Sequence, residues 1–386
     1  MTPPSAPELP LSRPLPVLRA MIDSVDREIL QLLSRRNAIV SEIASYKREH
    51  RVPIRDRARE NEIITDRCAR AAPLGLSPAV IESIFRLVLW ASRDRQAALK
   101  AEVPLDVEPR SVAIIGGRGG MGRCLAQMFG DLGHAVLIAD LDTPLSPREA
   151  AEVADVVIIS VPIDATVDVI RDLGPRVRLD ALLMDVTSIK SAPMRAMLEH
   201  SRCSVIGTHP LFGPSVHTVQ GQRIVLTPGR DAKAEWGGWL RTMLHARGLN
   251  VLETTPEAHD QAMSIVQVLT HFSTEVMGRA LTTLEASARG TLEFTSPVYL
   301  MELLMTARHF AQSPDLYASI QMSNPATPKV TQAFVDAASQ WRDIVAAGDH
   351  EQFRRMFEEV RTHFGDFTAE ALEQSSYLID RLVERA

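Results

Sequence analysis

Val112-Ala113-Ile114-Ile115-Gly116-Gly117-Arg118-Gly119-Gly120-Met121-Gly122 decides the fold. Four branched or small apolar residues make a short buried strand. Gly117, Gly119 and Gly122 then fit the G-x-G-x-x-G spacing. The first glycine lets the chain turn sharply, the second lets backbone N–H groups approach a pyrophosphate, and the third lets the next helix lie close to the sheet. That helix carries Leu125, Met128 and Phe129 on one face and ends before Gly133. A second strand, Ala135-Val136-Leu137-Ile138-Ala139, leads to Asp140. A carboxylate there can accept the adenosine ribose hydroxyls and would repel a 2′-phosphate. No Arg or Lys follows in Leu141-Asp142-Thr143, so the cofactor indicated is NAD. A tight βα turn would explain the glycines alone. It would not explain strand, loop, helix, strand and terminal acid in register.

The surrounding chain has 386 residues, 45% hydrophobic and 23% charged, which suits two or three domains with real cores. A formal charge of −6 argues against nucleic acid as the main partner, so any anion site must be a local cluster of cations. Cys68, Cys124 and Cys203 show no paired spacing, which suggests a reducing compartment without metal or disulfide framework. Prolines crowd residues 1–14, which read as a flexible tail without the apolar core of a signal peptide. No run is long and apolar enough to span a bilayer, and a cytoplasmic protein is expected.

From Leu18 the pattern is helical. Leu18, Ile22, Val25, Ile29, Leu32, Ile39 and Ile43 recur at spacings of three and four, and no Gly or Pro intervenes before Pro53. Arg36 occupies the same stripe, Lys47 points almost the same way, and Arg19 lies at its edge. A lone arginine could snorkel to solvent. Three cations along one apolar face make that reading weaker. A second helix starts at the N-cap Asp56 and carries Arg59 and Glu60; a third opens with Ser77-Pro78 and runs past Ser92 to Gln96. One very long helix outruns anything two shorter ones can cover, so pairing with a second copy is expected.

Leu18-Arg19-Ala20-Met21-Ile22-Asp23-Ser24-Val25-Asp26, Leu33-Ser34-Arg35-Arg36, Lys47 and Pro53-Ile54-Arg55-Asp56 with Arg59-Glu60 resemble the all-helical chorismate mutases. The resemblance implies that Arg19, Arg36, Lys47 and Arg59 hold the two carboxylates of chorismate. It implies that Glu60, with Asp56, takes the ring hydroxyl, that Lys47 and Gln96 reach the ether oxygen, and that Ser92 lies beside the substrate. The pericyclic rearrangement to prephenate needs neither nucleophile nor proton transfer. It needs a held conformer and donors for the growing ether-oxygen charge, which fixed cations and an amide supply. Taken alone, Gln96 would be an exposed helix-end residue.

After a linker at 99–110, further strands read as Val156–Ser160 and Ala181–Asp185, alternating with helices near 163–173 and 191–200, as in a doubly wound sheet. Strand ends should bring Ser160-Val161-Pro162-Ile163, Asp185-Val186-Thr187-Ser188-Ile189-Lys190 and Thr208–Pro214 to one rim. His209 is read as lying in a rigid loop after the short strand Ser204–Gly207. An imidazole there can take a proton from an alcohol while hydride leaves the same carbon. Ser188 could instead cap the following helix, and His271 could be an ordinary core histidine. Beyond residue 256 the pattern is helical, with long apolar helices around 297–311, 329–346 and 350–385.

The glycine loop, Ser160-Val161-Pro162-Ile163, Ser188-Ile189-Lys190, His209-Pro210-Leu211-Phe212-Gly213-Pro214, His259-Asp260-Gln261, His271-Phe272 and Met305–Gln312 are similar to prephenate dehydrogenase. With the amino-terminal helices, the whole chain resembles the bifunctional chorismate mutase/prephenate dehydrogenases of tyrosine biosynthesis. The resemblance implies that His209 accepts the proton of the prephenate ring hydroxyl, with Ser188 near that hydroxyl. It implies that Arg308 binds a substrate carboxylate, with His271 on the substrate side. Met121, Ser160 and Pro162 join Gly117, Gly119, Gly122 and Asp140 around NAD. The expected architecture is multidomain: an all-α three-helix mutase domain at 15–98, an α/β Rossmann-type NAD-binding domain at 111–255, and an all-α substrate and dimerisation domain at 256–386. The expected partners are chorismate, prephenate and a second copy of the chain, with tyrosine as a candidate feedback inhibitor. Neither nucleic acid nor membrane is expected. Leu300 stands where related chains can carry arginine, which leaves a tyrosine site open. Two rival readings are an arogenate-using dehydrogenase and a non-catalytic NAD-responsive regulator.

Overall fold

Helix α1 runs unbroken from Leu15 to His50, and of its 36 residues only Val40 and Ala44 are buried. The computed structural model describes residues 13–50, 52–99, 108–216, 218–231 and 235–383. Most of the proline-rich tail and of the linker, residues 1–12 and 100–107, therefore lies outside the described residues. Helices α2 (Arg57–Ala71) and α3 (Pro78–Ala98) pack on each other, and α3 packs on the carboxyl-terminal half of α1. Asp56 caps α2 as expected, its side chain accepting the Arg59 N–H at 2.9 Å. Ser77 sits in extended backbone before Pro78 but makes no side-chain cap. Among the described residues, the amino-terminal half of α1 has no buried side chain. Ile22 stays 60% exposed and Leu32 63%. Each such side chain would contribute roughly 1.5–3 kcal/mol on burial, so the stripe is built for a partner.

The α/β domain is one seven-stranded sheet in the order β2-β1-β3-β4-β5-β6-β7. The strands and helices alternate as β1 (Ser111–Ile115), α4 (Gly120–Asp131), β2 (Ala135–Ala139), α5 (Pro147–Val153), β3 (Val156–Ile159), α6 (Ile163–Leu173), β4 (Leu182–Asp185) and α7 (Ser191–His200). Then come β5 (Ser204–Pro210), β6 (Arg223–Pro228), α8 (Trp236–Ala246) and β7 (Asn250–Glu253). Strands β1 to β5 are parallel. Two apolar layers cover the sheet. One packs Phe129, Trp236 and Leu240 on Ile114 and Ile158; the other packs Ile170, Leu173 and Met197 on Val157 and Leu183. Strand order reverses between β1 and β3, so the ligand crevice opens at their carboxyl ends.

Two expectations need correction here. Strand β5 does not stop at Gly207. It continues through His209 and Pro210, because β6 pairs against it antiparallel, with His209 opposite Val225. Neither β6 nor β7 was legible as a strand, since β6 pairs antiparallel with β5, outside the local βαβ pattern, and β7 pairs with β6. The expected helix over 350–385 is two helices, separated at Gly365, whose φ of 53° is left-handed.

The carboxyl-terminal domain is all helix: α9 (Pro256–Met263), a π-helical turn over Ser264–Leu269, α10 (Thr270–Thr283), α11 (Ala288–Leu292), α12 (Pro297–Phe310), α13 (Pro314–Ser323), α14 (Thr327–Ala347), α15 (His350–Phe364) and α16 (Phe367–Val383). Ile320 of α13 packs against Ile163 and Ile189, and the Ser319 hydroxyl donates to Asp164 at 2.7 Å. These contacts seat the helical domain on the rim of the sheet. No helix among the described residues is long and apolar enough to cross a membrane.

Candidate active sites

The dinucleotide loop follows from crowding. Gly116 has φ of +80°, and a Cβ there would strike the Ser160 carbonyl across the switch point. A Cβ on Gly122 would meet the Gly116 carbonyl oxygen at 2.5 Å, and one on Gly117 would meet Ile114 O at 2.9 Å. A Cβ on Gly119 would press on Gly116 O at 3.2 Å. The loop thus presents bare backbone at the start of α4, which suits a pyrophosphate. Met121 packs inward on the core, Ser160 donates its N–H to Ile115 O at 2.8 Å, and Pro162 begins α6. Asp140 stands at the tip of β2, half-exposed, where ribose hydroxyls would arrive. The residues present fit NAD. A cation that the local sequence did not reveal is Arg118, whose guanidinium pairs with Asp142 beside that carboxylate.

His209 is only 3% exposed. Its Nδ1 lies 2.9 Å from Nε2 of His259, whose Nδ1 lies 2.8 Å from Oδ1 of Asp260. Asp260 in turn accepts the backbone N–H groups of Lys190 at 2.7 Å and Ser191 at 2.9 Å, and Asn324 Nδ2 donates to the Asp260 carbonyl at 2.8 Å. Lys190 is wholly buried; its ammonium bonds Asp185 and donates to Thr208 O at 2.7 Å. Burial lowers the Lys190 pKa while Asp185 supports its charge. Burial, then the Lys190 and His259 charges, hold His209 well below the usual imidazole range, and only Asp260 pulls the other way. This environment favours the neutral imidazole. Burial would raise the Asp260 carboxyl, but hydrogen bonds from His259, Ser191 and Lys190 keep it low.

Ser188 lies on the same turn between β4 and α7. The residue at the start of α7 is Lys190, so Ser188 is not the helix cap, and among the described residues nothing hydrogen-bonds its hydroxyl. His271 is no ordinary core histidine. It stands 4.7 Å from the Tyr317 ring, which stacks on His309 at 3.8 Å, and its Nδ1 is buried without a partner. Arg308 is exposed on α12 and makes no ion pair among the described residues. Its charge reaches Tyr317, whose pKa burial raises and Arg308 partly lowers. Tyr317 sits on α13, the helix whose Ile320 packs on Ile189. His259, Asp260 and Lys190 stand in motifs noted in the sequence, but their contact with His209 was not legible there: they lie 50, 51 and 19 residues from it, on other elements.

In the helical domain Arg36 donates to Ser92 Oγ and, at 3.5 Å, to Val88 O. Burial, and then the nearby Arg67 charge, lower the Arg36 pKa. Gln96 is buried rather than an exposed helix-end residue. Its Nε2 donates to Ser92 O at 3.1 Å and its Oε1 has no partner. The Lys47 ammonium donates to Pro53 O at 2.8 Å and Ile54 O at 2.7 Å. Glu60 is engaged by Arg93 at 2.6 Å, a partner that sequence reading missed, and Arg59 pairs with Glu62 on the surface. Arg36, Ser92 and Gln96 thus converge. Asp56 serves the α2 cap, and Arg19 stays exposed, far along α1. Clefts of 590 and 550 Å³ separate this domain from the sheet, lined by Arg48, Trp90 and Gln220 and by Arg123 and Pro214. Neither is lined by His209.

A Rossmann-type sheet with a buried imidazole on its cofactor rim, capped by helices and joined to a cationic three-helix domain, defines a nicotinamide-dependent dehydrogenase fused to a second enzyme. Residues 18–97 match the family Chorismate mutase type II, 134–253 match Prephenate dehydrogenase, nucleotide-binding domain, and 255–359 match Prephenate dehydrogenase, dimerization domain. The chain is 33% identical to a T-protein of Enterobacter agglomerans, covering 95% of this chain and 97% of that one. It is 31% identical to a T-protein of Haemophilus influenzae, covering 94% and 96%. A crystal structure of prephenate dehydrogenase from A. aeolicus in complex with hydroxyphenyl propionate and NAD+ shares the fold, with a TM-score of 0.52 at 18% identity over 67% of this chain and 98% of that one. The chain belongs to the bifunctional chorismate mutase/prephenate dehydrogenase family of tyrosine biosynthesis. It carries both activities and uses NAD, so the reading as a non-catalytic regulator is overturned. Its substrates are small molecules, and the dimerization-domain match marks a homodimer.

Proposed function

We propose that the dehydrogenase half takes prephenate rather than arogenate, with His209 as its base. The observation that supports the base is an imidazole kept neutral by burial and by Lys190, beside the loop that carries Ser188. The fused mutase domain supplies prephenate on the same chain. Arg308 holds a substrate carboxylate and His271, with its unpartnered Nδ1, a second polar group. Bound NAD supplies the hydride acceptor. His209 takes the ring hydroxyl proton as the carbonyl forms. Loss of carbon dioxide then returns an electron pair through the ring to that oxygen, which takes the proton back. No net proton is released, and aromatisation makes the step irreversible. His209 must therefore be neutral at rest and charged only in passage, which its environment favours.

The mutase half binds chorismate on Arg36, Lys47, Arg59 and an Arg19 from the partner chain. Gln96 and Lys47 stabilise the ether oxygen, while Glu60 and Asp56 receive the ring hydroxyl beside Ser92. The convergence of Arg36, Ser92 and the buried Gln96 amide supports this. The domains on this reading are 15–98 for the mutase, 111–255 for NAD and 256–386 for substrate and dimerisation. Tyrosine, the end product, is proposed as a feedback inhibitor, so dehydrogenase rate should fall when it is added. A cytoplasmic setting is supported by the free cysteines Cys68, Cys124 and Cys203. The deciding experiment gives pure protein chorismate with NAD and, separately, arogenate with NAD. NADH from the first and little from the second is expected. Faster turnover of arogenate than of prephenate would reverse the assignment.

A further inference from the structure

We propose that His259, anchored by Asp260, fixes the tautomer of His209 so that Nε2, and not Nδ1, is the basic atom of the dehydrogenase. The inference rests on His209 being the base and adds which atom acts and what sets it.

The argument is an accounting of donors. Asp260 accepts two backbone N–H groups, from Lys190 at 2.7 Å and Ser191 at 2.9 Å. Those donors cannot reverse, so the carboxylate is an acceptor, and His259 Nδ1, 2.8 Å from Oδ1, must carry a proton towards it. A neutral His259 then has a lone pair on Nε2. That atom lies 2.9 Å from His209 Nδ1, so the proton between the rings belongs to His209. With Nδ1 protonated, a neutral His209 keeps its lone pair on Nε2, the atom turned away from the relay. Both rings and the carboxylate are at most 4% exposed, so water cannot readily scramble the order.

The same chain carries the charge that appears in turnover. When Nε2 takes the substrate proton, the imidazolium still donates through Nδ1 to His259, which donates to Asp260. Lys190 opposes this charge. Its ammonium is held by Asp185 and Thr208 O, the carbonyl of the residue before His209. The charged groups facing His209 are thus Lys190 and Asp185 from the sheet side and His259 and Asp260 from α9. A second proton on His259 would reverse the relay, because its Nε2–H would then donate to His209 and force the His209 proton onto Nε2. The base would be lost without His209 itself being protonated. His259 and Asp260 are positioning residues in this scheme, since neither needs to touch substrate.

The test uses the full-length enzyme and four measurements on each variant: prephenate kcat, KM, the pH profile of kcat/KM, and mutase rate as a check of folding. Glutamine at 259 can accept from His209 through Oε1 and donate to Asp260 through Nε2, whereas leucine can do neither. His259→Leu should lose about 10²–10⁴-fold in kcat with smaller changes in KM and an altered acidic limb. His259→Gln should recover a large part of that loss, and both should keep the mutase rate. Nitrogen NMR of the wild-type enzyme should show the His209 proton on Nδ1. A His209 proton on Nε2, a His259→Leu enzyme with normal kcat and acidic limb, or equal losses in the Leu and Gln variants would overturn the relay. If His209→Asn is inactive while His259→Leu is normal, only the relay fails. If His209→Asn is itself active, the base assignment fails first.

Discussion

The backbone N–H of Arg118 donates to Oδ2 of Asp140 at 3.0 Å, tying the glycine loop to the tip of β2. The Arg118 guanidinium is drawn aside by Asp142, so two carboxylates flank a cation that a 2′-phosphate could otherwise use. Asp140→Ser with Leu141→Arg should shift preference from NAD towards NADP. Adding Asp142→Asn should strengthen the shift by freeing Arg118. Unchanged NAD preference, read as the ratio of kcat/KM for the two cofactors, would remove Asp140 from the ribose site.

His209→Asn should bind NAD and prephenate yet lose about 10²–10⁴-fold in kcat, with the mutase rate unchanged. Because burial and Lys190 depress the His209 pKa, the base is neutral above that lowered value and is lost as pH falls through it. The acidic limb of wild-type kcat/KM should therefore lie below about pH 6.5, the ordinary histidine value. A limb at or above that value would contradict the environment described.

Arg308→Lys should raise KM for prephenate more than KM for NAD, because an ammonium cannot reproduce a bidentate contact with a carboxylate. Equal effects on both ligands would assign Arg308 a structural role.

Lys190→Met should be strongly destabilising, since Asp185 would remain buried and uncompensated and Thr208 O would lose its donor. A loss of about 3–5 kcal/mol is expected, measured by denaturant unfolding. Stability near wild type would mean that the Lys190–Asp185 pair does not hold the fold together.

Arg19 and Lys47 lie on one unbroken helix, 28 residues apart, which at 1.5 Å per residue is about 42 Å. They cannot meet on one small dicarboxylate, so each mutase site should take Arg19 from the partner. Arg19→Ala and Lys47→Ala should each be nearly inactive alone. Random mixed dimers should recover about a quarter of wild-type mutase activity, since half are mixed and each has one intact site. Verified mixed dimers without recovery would return Arg19 to the surface.

The sequence by itself determined the elements whose cause is local. The glycine spacing, the strand before it and Asp140 after it fix a dinucleotide turn, because backbone crowding there admits nothing larger than glycine. The three- and four-residue periodicity of Leu18 to Ile43 fixed one long helix, and its unmatched apolar stripe already called for a partner. The pairing of Arg36 with Ser92, above a buried Gln96, needed only the expected packing of α1 on α3.

The tertiary structure alone decided what depends on partners distant in the chain. His209 lies in a strand only because β6 returns antiparallel to cover β5, and no residue near 209 signals that pairing. His259-Asp260 stands out in the sequence as part of a motif, but only the packing of α9 shows that it meets His209 on β5 and the Lys190 turn. Glu60 meets Arg93, and Arg118 meets Asp142, across separate elements. Local periodicity reports which face of an element is buried. The proton order of an imidazole and its charged neighbours depend on distances of a few ångströms between segments that only folding brings together.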